Sequence, residues 1–139
     1  MKNEIDYGRS IGAVVAGYFV MSGLGAICTM LAAKLLFPPP PEGQMPTITT
    51  LYLLLMLLIN IGTALIGGYV TATIAGVYRL HHAAVLAGII FALGMLFLAL
   101  PARAFPGREI FPAWYPLTSG VITPLSIVLG GWLRHRKAA

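Results

Sequence analysis

The stretch "GGYVTATIAG", residues 67–76, decides the fold because it concentrates small residues inside a long apolar run. On a helix, positions four apart lie on nearly the same face. Two adjacent rows of small residues follow from that spacing: Ala64, Gly68, Ala72 and Gly76 in one, and Thr63, Gly67, Thr71 and Ala75 in the other. The large side chains of Leu65, Ile66 and Tyr69 fall on the remaining side. The pattern predicts a helix whose small face is broad enough for two neighbouring helices.

Close helix packing is the first interpretation of this small face. Between helices in a bilayer there is little hydrophobic driving force, and small residues let the backbones approach closely. We therefore expect residues 48–77 to form the central helix of a bundle. The residues expected to mediate helix packing are Gly17, Ala64, Gly67, Gly68, Ala72, Gly76 and Gly88. The alternative interpretation is that the glycines line a permeation path or approach a cofactor.

Composition makes the bilayer the solvent for most of the chain. Of 139 residues, 58% are hydrophobic and only 9% are charged, whereas soluble domains carry roughly 25% charged residues. The single cysteine, Cys28, excludes an internal disulfide and any CxxC motif. The net charge is +5, and the basic residues lie at the ends of apolar runs. That placement favours anionic lipid headgroups over nucleic acid as the partner.

Four apolar runs follow one another, at residues 11–37, 48–77, 83–100 and 114–133. A helix needs about 20 apolar residues to cross a bilayer core, and no run shows the alternation of a barrel strand. The short connection 77–82 makes the second and third runs antiparallel neighbours, and Pro38–Pro41 favours a stiff polyproline segment. We predict an all-α polytopic membrane protein, a single domain in which four transmembrane helices form two helical hairpins in a compact bundle.

The basic residues predict the orientation. Six lie on the side of the two termini and the second connection, namely Lys2, Arg9, Arg79, Arg134, Arg136 and Lys137. Three lie on the other side, namely Lys34, Arg103 and Arg108. Lys34 is the one charge inside a run, and we expect it to snorkel to the interface. Because cytoplasmic loops are enriched in Lys and Arg, both termini are expected in the cytoplasm.

Carboxylates are absent from the apolar runs. All four acids, Glu4, Asp6, Glu42 and Glu109, lie outside them. Carboxylates within spans are the usual mark of proton relays and coupled transport, and the small multidrug transporters of similar length depend on one. The adjacent His81 and His82 have no facing set of further metal ligands. We expect no catalytic residue, metal site or cofactor, and therefore no enzyme.

Asn60 is the notable polar residue, deep in "LLLMLLINIG", residues 53–62. An unpaired amide in hydrocarbon is costly, so a hydrogen bond to another helix is expected. Partners on offer are Ser22, Thr118, Ser119 and Thr123. The alternative is an ion or substrate site. In the last run Thr123 and Ser126 flank Pro124, which predicts a structural kink or, as the alternative, a polar pocket lining together with Asn60.

Three segments carry a resemblance to known proteins: "GGYVTATIAGVYRLHHAAVLAG" at 67–88, "WYP" at 114–116 and "GGWLRHR" at 130–136. Together they resemble a loose group of small bacterial four-helix membrane proteins whose functions are not assigned. The resemblance implies four helices and the bacterial inner membrane, and it transfers no activity. We expect a structural or accessory protein that packs through Gly/Ala faces with itself or a larger membrane complex. The alternative is a small channel or carrier for an uncharged or hydrophobic solute, formed as an oligomer.

Overall fold

The computed structural model describes residues 7–37, 48–76, 78–100 and 111–137. Each segment contains one helix: α1 Tyr7–Leu36, α2 Thr50–Ala75, α3 Arg79–Ala99 and α4 Trp114–Arg136. All four are long and apolar enough to cross a membrane. The expected all-α bundle of four membrane-spanning helices is therefore confirmed.

The helices extend further at the basic end of the bundle than the apolar runs indicated. α1 begins at Tyr7, α3 at Arg79, and α4 continues to Arg136. Backbone hydrogen bonding continues beyond the hydrocarbon region, so hydropathy marks where a helix meets lipid rather than where it ends. The expected polyproline segment Pro38–Pro41 lies outside the described residues.

The reversal between α2 and α3 is tighter than the sequence suggested. α2 ends at Ala75 and α3 starts at Arg79. Gly76 has φ 70° and Tyr78 has φ 52°, a backbone region that glycine adopts freely and that costs other residues roughly 1–2 kcal/mol. Gly76 thus ends the helix, although it was expected to pack within it. His81 and His82 lie in the first turn of α3.

Helix α2 is central, because it contacts α1, α3 and α4. α1 also touches α3, and α3 packs along α4, but within the described residues α1 and α4 do not meet. Arg9 lies beside Ile74 and Gly25 beside Thr63, so α1 and α2 are antiparallel. The starts of α1 and α3 and the ends of α2 and α4 therefore form one end of the bundle, here called the basic end.

One small row of α2 packs against α1. A Cβ atom added at Gly67 would lie 2.8 Å from Cβ of Met21. One added at Gly17 would lie 2.9 Å from the Gly67 carbonyl oxygen and would overlap the Thr71 hydroxyl. Real Cβ atoms do not approach so closely, so glycine at these positions permits the α1–α2 contact.

The other small row packs against α4. A Cβ atom at Gly68 would overlap the carbonyl oxygen of Ile127, and one at Gly130 would overlap that of Leu65. Ala64 and Ala72 of the same row are fully buried. The two rows of α2 therefore face two different helices, one before it and one after it in the chain.

Helix α3 is rotated differently from expectation. Its buried face is formed by Ala83, Leu86 and Ala87, with Ala83 against Gly131 of α4. Gly88 was expected to pack on a neighbouring helix, but it is exposed and has open space where a Cβ would be. Leu86 is turned inward instead and packs in the core cluster with Ala64 and Ile127.

Candidate functional site

Polar chemistry in the described residues is sparse. They contain no Asp or Glu, and no three His, Cys or acidic side chains among them converge as metal ligands. The polar features include two grooves and a pair of arginines at the end of α2.

The first groove, here called the Asn60 groove, lies where α1 and α4 separate over α2. It has a volume of about 370 Å³. Its walls combine apolar and polar side chains, among them Met21, Ser22, Met56, Asn60, Phe111 and Tyr115. Phe111 and Tyr115 stack with centroids 5.6 Å apart at one end. No charged side chain lines the groove, so its chemistry suits an uncharged molecule.

The Asn60 amide does not make the expected hydrogen bond to another helix. Within the described residues its side chain has no hydrogen-bond partner, and only its backbone carbonyl accepts, from the Thr63 hydroxyl at 3.2 Å. Two of the expected partners do not bond to the Asn60 amide. Ser22 lines the same groove without a hydrogen bond to it, and the Ser119 hydroxyl donates to the Pro116 carbonyl at 3.2 Å. The amide thus retains two donors and an acceptor facing a partly open groove.

Thr123 and Ser126 do not join Asn60 in one site. Both are buried on α4, and neither lines the Asn60 groove. The Ser126 hydroxyl donates to the Ile122 carbonyl at 2.8 Å, not to the Gly120 carbonyl that Pro124 leaves without its helical donor. Pro124 nevertheless lies inside a continuous helix. The three candidate polar residues therefore divide into a groove residue and two packing residues.

The Asn60 groove reaches only part of the way through the bundle. Between α1 and α2 it ends where Gly17 meets Gly67, and between α2 and α4 backbone contact resumes at Gly68 and Ile127. It lies in the half of the bundle opposite the basic end, between residues 21–29 of α1 and 52–63 of α2. Along these two interfaces a single copy of the chain therefore offers a binding recess and not a transmembrane passage.

A pair of arginines holds the end of α2 and was not foreseen from the sequence. α2 has no basic residue in its last turn. Arg9 of α1 donates from Nε to the Ile74 carbonyl at 2.7 Å, and Arg134 of α4 donates to the Thr73 hydroxyl at 3.1 Å. The last carbonyls of a helix carry partial negative charge and lack helical donors. Its two neighbours thus supply the positive charge that α2 lacks.

The second groove, here called the basic-end groove, lies between the first turns of α1 and α3 and was also not foreseen. Its volume is about 720 Å³. The polar side chains that line it are Tyr7, Ser10, Tyr78, His81 and His82. The apolar ones are Ile11, Val14, Val15, Val85 and Ile89. The polar residues are near the helix starts and the apolar ones follow, so the groove is amphipathic along its length.

No family model matches the chain, and no curated protein or solved structure matches it either. Helix length and hydropathy make it a multi-pass membrane protein in contact with the lipid bilayer.

Proposed function

We propose that this chain is a structural or accessory membrane protein that associates, through a small-residue helix face, with copies of itself or with a larger membrane complex. The observation that supports this most directly is the outer row of α3, formed by Ala84, Gly88 and Ala92, which is exposed. Nothing in the described chain lies within 4 Å of a Cβ placed at Gly88. This row is open for a helix from outside the chain.

The geometry of the row suits helix association in lipid. Its members are four residues apart, so the row is straight and about 12 Å long. Exposed Val85 and Phe91 stand beside it, which makes the row a shallow channel between larger side chains. Small residues at such spacing allow close helix approach and good dispersion contact in membranes. The small rows of α2, by contrast, are already occupied by α1 and α4.

The placement of this protein in a bacterial inner membrane with both termini in the cytoplasm belongs to the same proposal. It is supported by the distribution of cations, since Arg9, Arg79 and Arg134 lie at the basic end and Lys34 at the other. Lys34 is exposed in the last turn of α1, where its ammonium group can reach headgroups. Positive residues favour the cytoplasmic side during insertion.

Association is tested with Gly88→Leu and its matched control Gly12→Leu. Both glycines are exposed within membrane-spanning helices and have open space around them, so both variants keep the bundle intact. Each protein is purified in mild detergent from native membranes, and bound partners and copy number are determined by native mass spectrometry. We expect Gly88→Leu to lose the associated chain and Gly12→Leu to keep it. Equal association in the two variants would contradict the use of the α3 face.

The second candidate function is binding or movement of an uncharged or hydrophobic solute, and the Asn60 groove favours it. There the Asn60 amide has no hydrogen-bond partner among the described residues and faces an uncharged, partly apolar recess. The assay is reconstitution in vesicles with a pH-sensitive dye inside and an imposed solute gradient. We expect no change of internal pH, since no described helix holds a carboxylate to carry a proton. Solute entry is followed in the same vesicles by light scattering, and entry that is faster than in protein-free vesicles and is lost in Asn60→Leu would replace the accessory function with a channel or carrier function.

A further inference from the structure

The basic-end groove has the depth of one membrane leaflet. Its lining on α3 runs from Tyr78 to Ile89, a rise of about 16 Å along a helix. Half of a bilayer hydrocarbon core is about 15 Å thick. The facing wall on α1 runs from Tyr7 to Val15 in the same direction. The groove thus begins at the level of the headgroups and ends near the middle of the bilayer.

The mouth of this groove presents polar side chains without partners. Within the described residues, the side chains of Tyr7, Ser10, Tyr78 and His81 make no hydrogen bond. His82 contacts the Tyr78 carbonyl through Nδ1 at 3.0 Å; because a carbonyl only accepts, Nδ1 carries a hydrogen. Beyond the mouth the walls are purely aliphatic. A polar mouth above an aliphatic channel is complementary to a molecule with a polar head and a hydrocarbon chain.

The charges at the basic end indicate which type of lipid headgroup this groove would bind. Among the described residues, the basic end carries five Lys or Arg residues, namely Arg9, Arg79, Arg134, Arg136 and Lys137, against Lys34 alone at the other end. The described part of the basic end holds cations but no carboxylate. No Lys or Arg lines the groove itself, but Arg79 is next to Tyr78 in the chain and its Nε makes no hydrogen bond within the described residues. The positive charge at this end favours an anionic headgroup, and each nearby cation strengthens such binding.

We propose that the basic-end groove is a binding site for one anionic phospholipid of the leaflet at that end. One acyl chain lies along Val14, Val85 and Ile89, and the phosphate is held at the mouth by the hydroxyl groups of Tyr7 and Tyr78. This site goes beyond the proposed association of the α3 outer row, and the two surfaces adjoin at Val85. Bound lipid and associated partner are therefore both recorded for every variant, and Gly88→Leu, which changes a residue outside the groove lining, should keep the lipid.

The test is native mass spectrometry of the full chain released from nanodiscs of equal parts phosphatidylglycerol and phosphatidylcholine. For the unmodified chain we expect one retained lipid, enriched about tenfold in the anionic species. Val85→Trp fills the groove and should abolish retention. Val121→Trp is the matched control, because Val121 is the same residue type on α4, does not line the groove and is 52% exposed where Val85 is 42% exposed. It should retain the lipid.

Further variants test the headgroup contacts and the acyl-chain contacts separately, and a second groove variant guards against a result caused by misfolding. Ile89→Trp fills the groove one turn deeper and should also lose the lipid, with helicity by circular dichroism unchanged. Tyr7→Phe combined with Tyr78→Phe should weaken retention of both lipids alike, because both carry the phosphate that these hydroxyl groups hold, whereas Arg79→Gln should keep one lipid but lose most of the anionic preference. Equal retention in Val85→Trp, Ile89→Trp and Val121→Trp would mean unspecific surface lipid and overturn the site. Equal retention of the two lipids by the unmodified chain would overturn its anionic character.

Discussion

Replacing Gly68 by alanine tests whether α2 and α4 are in backbone contact. The added Cβ atom would lie 2.7 Å from the carbonyl carbon of Ile127 and closer still to its oxygen. Ordinary contact begins near 3.4 Å, so the two helices must separate by at least about 0.7 Å. A gap of that size forfeits roughly a quarter to a half of the dispersion energy at the contacts it opens. The obstructing atoms belong to backbone, so no side-chain rotation relieves the overlap.

The expected loss is about 1–3 kcal/mol, the usual cost of overpacking, even though alanine is the better helix former by up to about 1 kcal/mol. Gly88→Ala is the matched control, since it makes the same chemical change with no atom within 4 Å. The free energy of unfolding of both variants is measured in mixed detergent micelles by titration with a denaturing detergent. We expect Gly68→Ala to be destabilised and Gly88→Ala to be unchanged or more stable. Equal stability of the two would refute the backbone contact.

Two further outcomes follow from the basic end. Arg9→Met should destabilise the bundle by about 1–2 kcal/mol, because the Ile74 carbonyl loses a charged donor at the helix end. The control is Arg136→Met, which removes a cation lying 5.4 Å over the Trp132 ring. An equal effect of the two variants on thermal unfolding would argue against capping of α2 by Arg9. For orientation, cysteines at Gly43 and Ala138, which lie outside the described residues, are introduced in a Cys28→Ser background. A membrane-impermeant thiol reagent on intact cells should label Gly43→Cys alone, and labelling of Ala138→Cys alone would reverse the orientation.

The packing of α2 was predictable because it depends on the size and the spacing of its residues. Gly67 and Gly68 have no side chain beyond the backbone, so each row favours a close neighbouring helix, and the short connection predicted at 77–82 made α3 antiparallel to α2. That Gly76 ends α2 was not predicted. The rotation of α3 was not predictable in the same way. Its apolar residues surround the helix, so Leu86 and Gly88 were equally plausible inward positions, and only packing against α2 and α4 decides between them.

The polar features depended on distances that no local pattern encodes. Asn60 was expected to find a partner, but α1 and α4 diverge over α2 and leave its amide facing a groove. The hydrogen bond from Arg9 to Ile74 joins residues 65 positions apart, and the basic-end groove exists because α1 and α3 barely touch. Each of these features is set by how whole helices lie against one another.

The contact between Gly68 and Ile127 also determines when the interface between α2 and α4 can form during synthesis. Ile127 lies 59 residues after Gly68 along the chain, a stretch that takes about 3–12 s to synthesise at roughly 5–20 residues per second. Until then the α4-facing row of α2 has only lipid beside it, while the row facing α1 is already matched. The hairpin of α1 and α2 is therefore in the membrane before α4 has been synthesised, and α4 completes the interface on the other side of α2.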